Sequence, residues 1–190
     1  MRVGMMLYAG FRLLEVSGPM AVFGEANRLC GQTLYEQHLV GLSPGPVVCS
    51  NGAAVVTTEA LTQGHGSFDV VLIPGSPSVG AGQEHPELVT WLKQIGRDAR
   101  RLASVSNGAF LLARAGLADH RWLTTHPDDA RRLASEYPLV HVMTDLSCLK
   151  DGNLYSAGGV RAGIRLALTL VQEDLGDNIV GRIAETLLIQ

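Results

Sequence analysis

Residues 102–116 decide the fold: Leu102-Ala103-Ser104-Val105-Ser106-Asn107-Gly108-Ala109-Phe110-Leu111-Leu112-Ala113-Arg114-Ala115-Gly116. Leu102 to Val105 is a short apolar run of strand character, and Ala109 to Ala113 continues into a helix that Gly116 can terminate. Ser106 stands at the junction. The segment lacks only the first glycine of a G-x-S-x-G elbow, Ser104 standing in its place. At such a turn the side chain is exposed above the sheet edge. The helix N-terminus lends positive potential, and the Asn107 N–H faces a developing oxyanion. Serine is also among the commonest helix N-caps, and from this segment alone a cap is the simpler account.

Outward from the elbow, short β-prone runs bounded by Gly and Pro alternate with longer amphipathic stretches, the pattern of parallel strands joined by crossover helices. The first strand is Val3 to Tyr8, and Ser17-Gly18-Pro19 reads as the cap and first-turn proline of a helix ending near Cys30-Gly31. Tyr35 to Leu42 is the second strand. Val47 to Ser50 and Ala53 to Thr58 flank Asn51-Gly52 and predict a β-hairpin insertion. Val70 to Ile73, four apolar residues stopped by Pro74-Gly75, has the profile of a central strand buried on both faces. Pro86 opens a helix to about Arg101. Beyond the elbow come a strand at Trp122 to Thr125, a helix at Asp128 to Tyr137, a strand at Val140 to Asp145 and a hairpin around Asp151-Gly152. Two helices, from about Arg161 to Leu175 and from Asn178 to Ile189, are divided by Gly176.

At 190 residues, the chain is long enough for one sizeable core and short for two, so a single domain over residues 1–190 is expected. Hydrophobic residues at 46% and charged residues at 17% are globular values. A formal charge of −3 without a basic block gives no nucleic-acid footprint, so no direct nucleic-acid binding by this segment is expected. Cys30, Cys49 and Cys148 are odd in number and include no C-x-x-C pair, which argues against a disulfide framework and a zinc cage. Neither a secretory signal nor a membrane span is legible, and a cytoplasmic location is expected. Phosphate-loop, dinucleotide and H-E-x-x-H motifs do not occur, and neither a cofactor nor a metal is assigned.

Three further segments lead toward the elbow's edge of the sheet. Gly75-Ser76, just past Val70 to Ile73, can bring a second backbone N–H there, because ligands in open α/β sheets lie outside the carboxyl ends of strands; alone, it is only a turn. His126, in Thr124-Thr125-His126-Pro127, follows the elbow by one helix and a short strand; a hydrogen-bonded, partly buried histidine is the blander account. Glu15 is either a solvated loop charge or a carboxylate aimed over the first strand. Spacing does not separate the two.

With Leu14-Glu15-Val16-Ser17-Gly18-Pro19, Leu72-Ile73-Pro74-Gly75, Ser104 to Phe110, Thr124-Thr125-His126 and Asp151-Gly152-Asn153-Leu154 in that order, the chain resembles the ThiJ/PfpI (glutamine amidotransferase-like) superfamily over nearly its whole length. The resemblance implies a flavodoxin-like three-layer α/β sandwich with a mostly parallel central sheet. It implies that Glu15 hydrogen-bonds the elbow residue Ser106, that Gly75 and Asn107 carry oxyanion-hole N–H groups, and that the usual state is a homodimer. Two branches look similar: isonitrile hydratase-like proteins, which use an elbow cysteine, and the ligand-sensing N-terminal domain of AraC-type transcription regulators. The stretch Leu168 to Leu188 looks more like the regulators, whose DNA-binding module would lie outside this chain.

The departures carry information. Ser106 replaces the relatives' cysteine, and a hydroxyl without thiolate character needs an adjacent base, a part that a carboxylate such as Glu15 fills poorly. Pro127 stands for a common tryptophan, Ser76 for a second glycine and Arg165 for an aspartate. The expectation is a ligand-sensing domain that binds a small molecule and leans away from catalysis. The alternative is an isonitrile hydratase-like or hydrolase-like enzyme, including one whose cysteine has been exchanged for serine.

Overall fold

The computed structural model describes residues 1–57, 59–60, 67–82, 85–96 and 98–188. The strands are β1 (Arg2–Met6), β2 (Glu36–Gly41), β3 (Gly45–Val48), β4 (Ala54–Thr57), β5 (Glu59–Ala60), β6 (Val70–Ile73), β7 (Arg101–Val105), β8 (Trp122–Leu123), β9 (His141–Val142), β10 (Cys148–Asp151) and β11 (Leu154–Ala157). The helices are α1 (Leu13–Cys30), α2 (Pro77–Gly80), α3 (Pro86–Ile95), α4 (Ala109–Arg114), α5 (Pro127–Glu136), α6 (Val160–Leu175) and α7 (Asp177–Thr186).

Seven strands form the central sheet in the order β10-β11-β7-β6-β1-β2-β5, parallel throughout except for β10 against β11. Helices flank it in a three-layer α/β arrangement, with α1, α6 and α7 packed together and α3 against α4. β6 and β7 are buried at every position, as strands covered on both faces must be. The apolar run 70–73 is thus one of the sheet's inner strands. The hairpin expected at Asn51-Gly52 forms as β3–β4, with Gly52 at φ 87 supplying the turn; Thr58, the expected end of its second arm, lies outside the described residues. The second hairpin forms as β10–β11 around Gly152.

Several boundaries move. α1 begins at Leu13, four residues before the Ser17-Gly18-Pro19 cluster, so Pro19 sits inside the helix. Gly18 serves packing, not capping: a Cβ there would lie 2.7 Å from Ile164 Cγ1 on α6. The helix opened by Pro86 ends at Ile95, and Arg101 belongs to β7 because its amide bonds Asp69 O at 2.8 Å. The strands at 122 and 141 are two-residue pieces paired with each other. α7 spans Asp177–Thr186; Ile189, its expected end, lies outside the described residues.

Candidate functional site at the elbow

β7 runs extended to Val105, and the chain then turns sharply at Ser106, whose φ is +55. An L-residue there costs about 1–2 kcal/mol, a strain held in place by what surrounds it. Asn107 and Gly108 complete one 3₁₀ turn before α4. The turn sits hard against the neighbouring strand end: a Cβ on Gly108 would lie 2.4 Å from Ile73 O, and one on Gly75 would lie 2.4 Å from Asn107 Oδ1 and 3.1 Å from Asn107 N. Gly108 therefore requires glycine, and a side chain at Gly75 would push the Asn107 amide out of place. Thr125 Oγ1 donates to Ser106 O at 2.8 Å and pins the strained residue from the other side.

Ser106 does not cap the helix. Its buried hydroxyl accepts from Arg12 Nη1 at 3.3 Å and favours the charged form of the Glu15 carboxyl. Glu15 is only 2% exposed, so the solvated-loop account fails: it lies in the first turn of α1 and accepts from the Gly75 N–H at 2.6 Å. Burial raises its pKa, opposed by the Gly75 amide, the Arg12 charge and Ser106. Asn107 Oδ1 accepts from the Ser76 N–H at 2.9 Å and from Arg12 Nη1 at 3.3 Å. The Gly75 amide expected to face an oxyanion is thus occupied by Glu15. The Asn107 side chain stitches the elbow to the loop after β6.

Of the residues expected from the sequence, Glu15, Gly75, Ser76, Ser106 and Asn107 come together. His126 does not join them: its half-exposed ring caps α5, with Nδ1 accepting from the Asp128 amide at 3.3 Å. The elbow is met one residue earlier, by Thr125. Arg12 was not anticipated, because a lone arginine after Gly10-Phe11 reads as a solvated charge. It lies 3.7 Å from Glu15 Oε1 with its side chain 35% exposed. A row of hydroxyls also went unread. Ser76 Oγ and Ser78 Oγ are 2.8 Å apart, and Ser78 Oγ meets His85 Nε2 at 3.0 Å. The His85 ring stacks edge-on to Tyr8, whose hydroxyl donates to Pro74 O at 2.6 Å. Burial lowers the His85 pKa, with Arg114 adding to it, and keeps the ring neutral at pH 7.

An open cavity of about 540 Å³ at the start of α6 is lined by Ser147, Gly159, Val160, Arg161, Ala162 and Arg165. Among the described residues no three His, Cys, Asp or Glu side chains gather as a metal site requires, and no helix is long and apolar enough to cross a membrane. All three cysteines are free; burial raises the thiol pKa of Cys49 and of Cys148.

Known proteins are similar to this chain in sequence and fold. The helix-turn-helix-type transcriptional regulator GbdR of Pseudomonas aeruginosa is 28% identical over 190 residues, covering 99% of this chain and 50% of the regulator. The isonitrile hydratase of Pseudomonas putida is 29% identical over 176 residues, covering 93% of this chain and 73% of the enzyme. The chain thus spans about half the length of the regulator it matches. Among solved structures, an AraC family transcriptional regulator from Pseudomonas putida superposes with a TM-score of 0.84 at 25% identity, covering 98% of both chains. The DJ-1/PfpI family model matches residues 1–173, which takes in the strained elbow, the Glu15 helix and the Gly75 turn together. On fold and sequence alike, the chain belongs to the DJ-1/PfpI family.

Proposed function

We propose that this chain is the small-molecule-sensing domain of an AraC-type transcription regulator, and that its elbow binds a ligand without transforming it. The observation that carries this reading is the state of the Ser106 hydroxyl. It accepts from Arg12, which has no basic lone pair to offer, while the Glu15 carboxyl is engaged by the Gly75 amide. A serine nucleophile needs a base in hydrogen-bond reach and open oxyanion donors. Here the nearest cation is not a base, and one of the two expected donors is already spent. The likeness to GbdR and to the AraC family regulator supports the same reading. We place the chain in the cytoplasm, as one domain that pairs as a homodimer. Ligand occupancy would pass through the dimer to a DNA-contacting segment outside this chain.

An isonitrile hydratase-like activity is the second reading. Its support is the strained φ of Ser106, a geometry that accompanies exposed nucleophiles, and the 29% identity to an enzyme of that name. Isocyanide hydration by the protein and by Ser106→Cys, followed as formamide, separates the two. No product from the serine protein is expected. Turnover by the serine form would overturn the sensing proposal.

A further inference from the structure

We infer that the elbow recognises a small organic carboxylate, with Arg12 as the residue that sets this preference. The inference rests on the ligand-binding reading above and names its ligand class.

Every hydrogen bond and ion pair of the Arg12 guanidinium among the described residues is made by Nη1: to Ser106 Oγ and Asn107 Oδ1, each at 3.3 Å, and toward Glu15 at 3.7 Å. These are long contacts. Nε and Nη2 keep their donors, and the side chain is 35% exposed, so one edge of a planar fork looks outward from a buried elbow. That edge matches a carboxylate, which accepts two parallel N–H bonds from a guanidinium. A neutral ligand would leave part of the fork unused.

The surroundings favour a single negative charge. Glu15 stands on the far side of the guanidinium. A phosphate dianion would face that carboxyl with only one arginine between them, whereas a monocarboxylate replaces solvent on the open edge and leaves the Glu15 contacts intact.

The test is calorimetric titration of the 190-residue chain with C2–C6 monocarboxylates, their primary amides and inorganic phosphate, at fixed ionic strength. At least one acid is expected to bind ten times or more tighter than its amide. Arg12→Gln should erase that preference, Arg12→Lys should keep part of it, and added salt should weaken acid but not amide binding. Equal binding of acid and amide, phosphate binding tighter than every acid, or an undiminished acid preference in Arg12→Gln would each overturn the inference. Amides binding as well as acids would leave the ligand-binding reading standing and remove only the carboxylate. Binding by no member of the panel would remove both.

Discussion

The two ends of β7 each carry an arginine beside a carboxylate, and they are built on opposite plans. At the strand's start Arg101, only 7% exposed, holds Asp174 through Nη1 at 2.8 Å and Nη2 at 2.7 Å. Tyr35 donates to the same carboxylate at 3.0 Å, while Glu173 next along α6 accepts from Lys150 at 2.6 Å and from the Tyr155 hydroxyl at 2.7 Å. Every charge there has a short, directed partner. At the strand's end Arg12 meets its neighbours at 3.3 Å or more and Glu15 at 3.7 Å. One end is a closed structural lock that ties α6 to the sheet. The other keeps donors in reserve, which a ligand can use and stability cannot.

The sharpest way to break this contrast is Arg101→Ala. Removing one partner of a buried pair leaves Asp174 uncompensated and should destabilise by about 3–5 kcal/mol in urea unfolding; a loss below about 1 kcal/mol would mean that the lock is ornamental.

The carboxylates come next. Burial alone would raise the Asp174 pKa, but Arg101 and Tyr35 together hold it below the ordinary 3.8. Its contribution is therefore present above that value and fades as pH falls through the lower folded pKa. Asp174→Asn should cost about 1.5–3 kcal/mol at pH 7, shrinking in acid. Glu15 has the opposite sign. Its pKa is raised above 4.5, so its contribution is present below 4.5 and lost as pH rises through the folded value. Glu15→Gln should gain on the native protein between pH 4 and pH 7, read from the same denaturation curves. Parallel pH profiles for the two variants would erase the distinction.

At the turn itself, Ser106→Gly should be more stable than Ser106→Ala by about 1–2 kcal/mol, because glycine relieves the φ of +55 and alanine keeps it. Equal stabilities would mean that the turn relaxes. The smallest effect is expected from Arg12→Gln, a loss of about 0.2–1 kcal/mol, since its contacts are long and partly solvated. A loss as large as that of Arg101→Ala would make the two ends alike.

How much of this was legible follows from what each signal encodes. Val70 to Ile73, the Asn51-Gly52 turn and the strand-to-helix passage at Ser106 are local statements, in which a few consecutive residues fix burial or torsion. The start of α1 was misread because Ser17-Gly18-Pro19 is locally a helix opening. Gly18 is glycine for the sake of Ile164, 146 positions away, and no local reading holds that reason. Glu15 was recognised through its resemblance to a family motif, yet its occupation of the Gly75 amide depends on α1 beginning where it does. Arg12 left no trace in the pattern. A single cation in a loop acquires meaning only when another segment supplies a buried hydroxyl beneath it. His126 was legible as a histidine beside the elbow, but Pro127 opens a helix there and His126 caps it.

The free cysteines have a practical consequence. With Cys49 and Cys148 raised by burial, an experimenter who installs Ser106→Cys together with Cys30→Ser obtains a chain with one thiol placed beside a guanidinium, the setting that favours thiolate. At neutral pH an alkylating dye should react there first. Its rate then reports access to the elbow, and any molecule that seats on Arg12 should slow it in proportion to its occupancy.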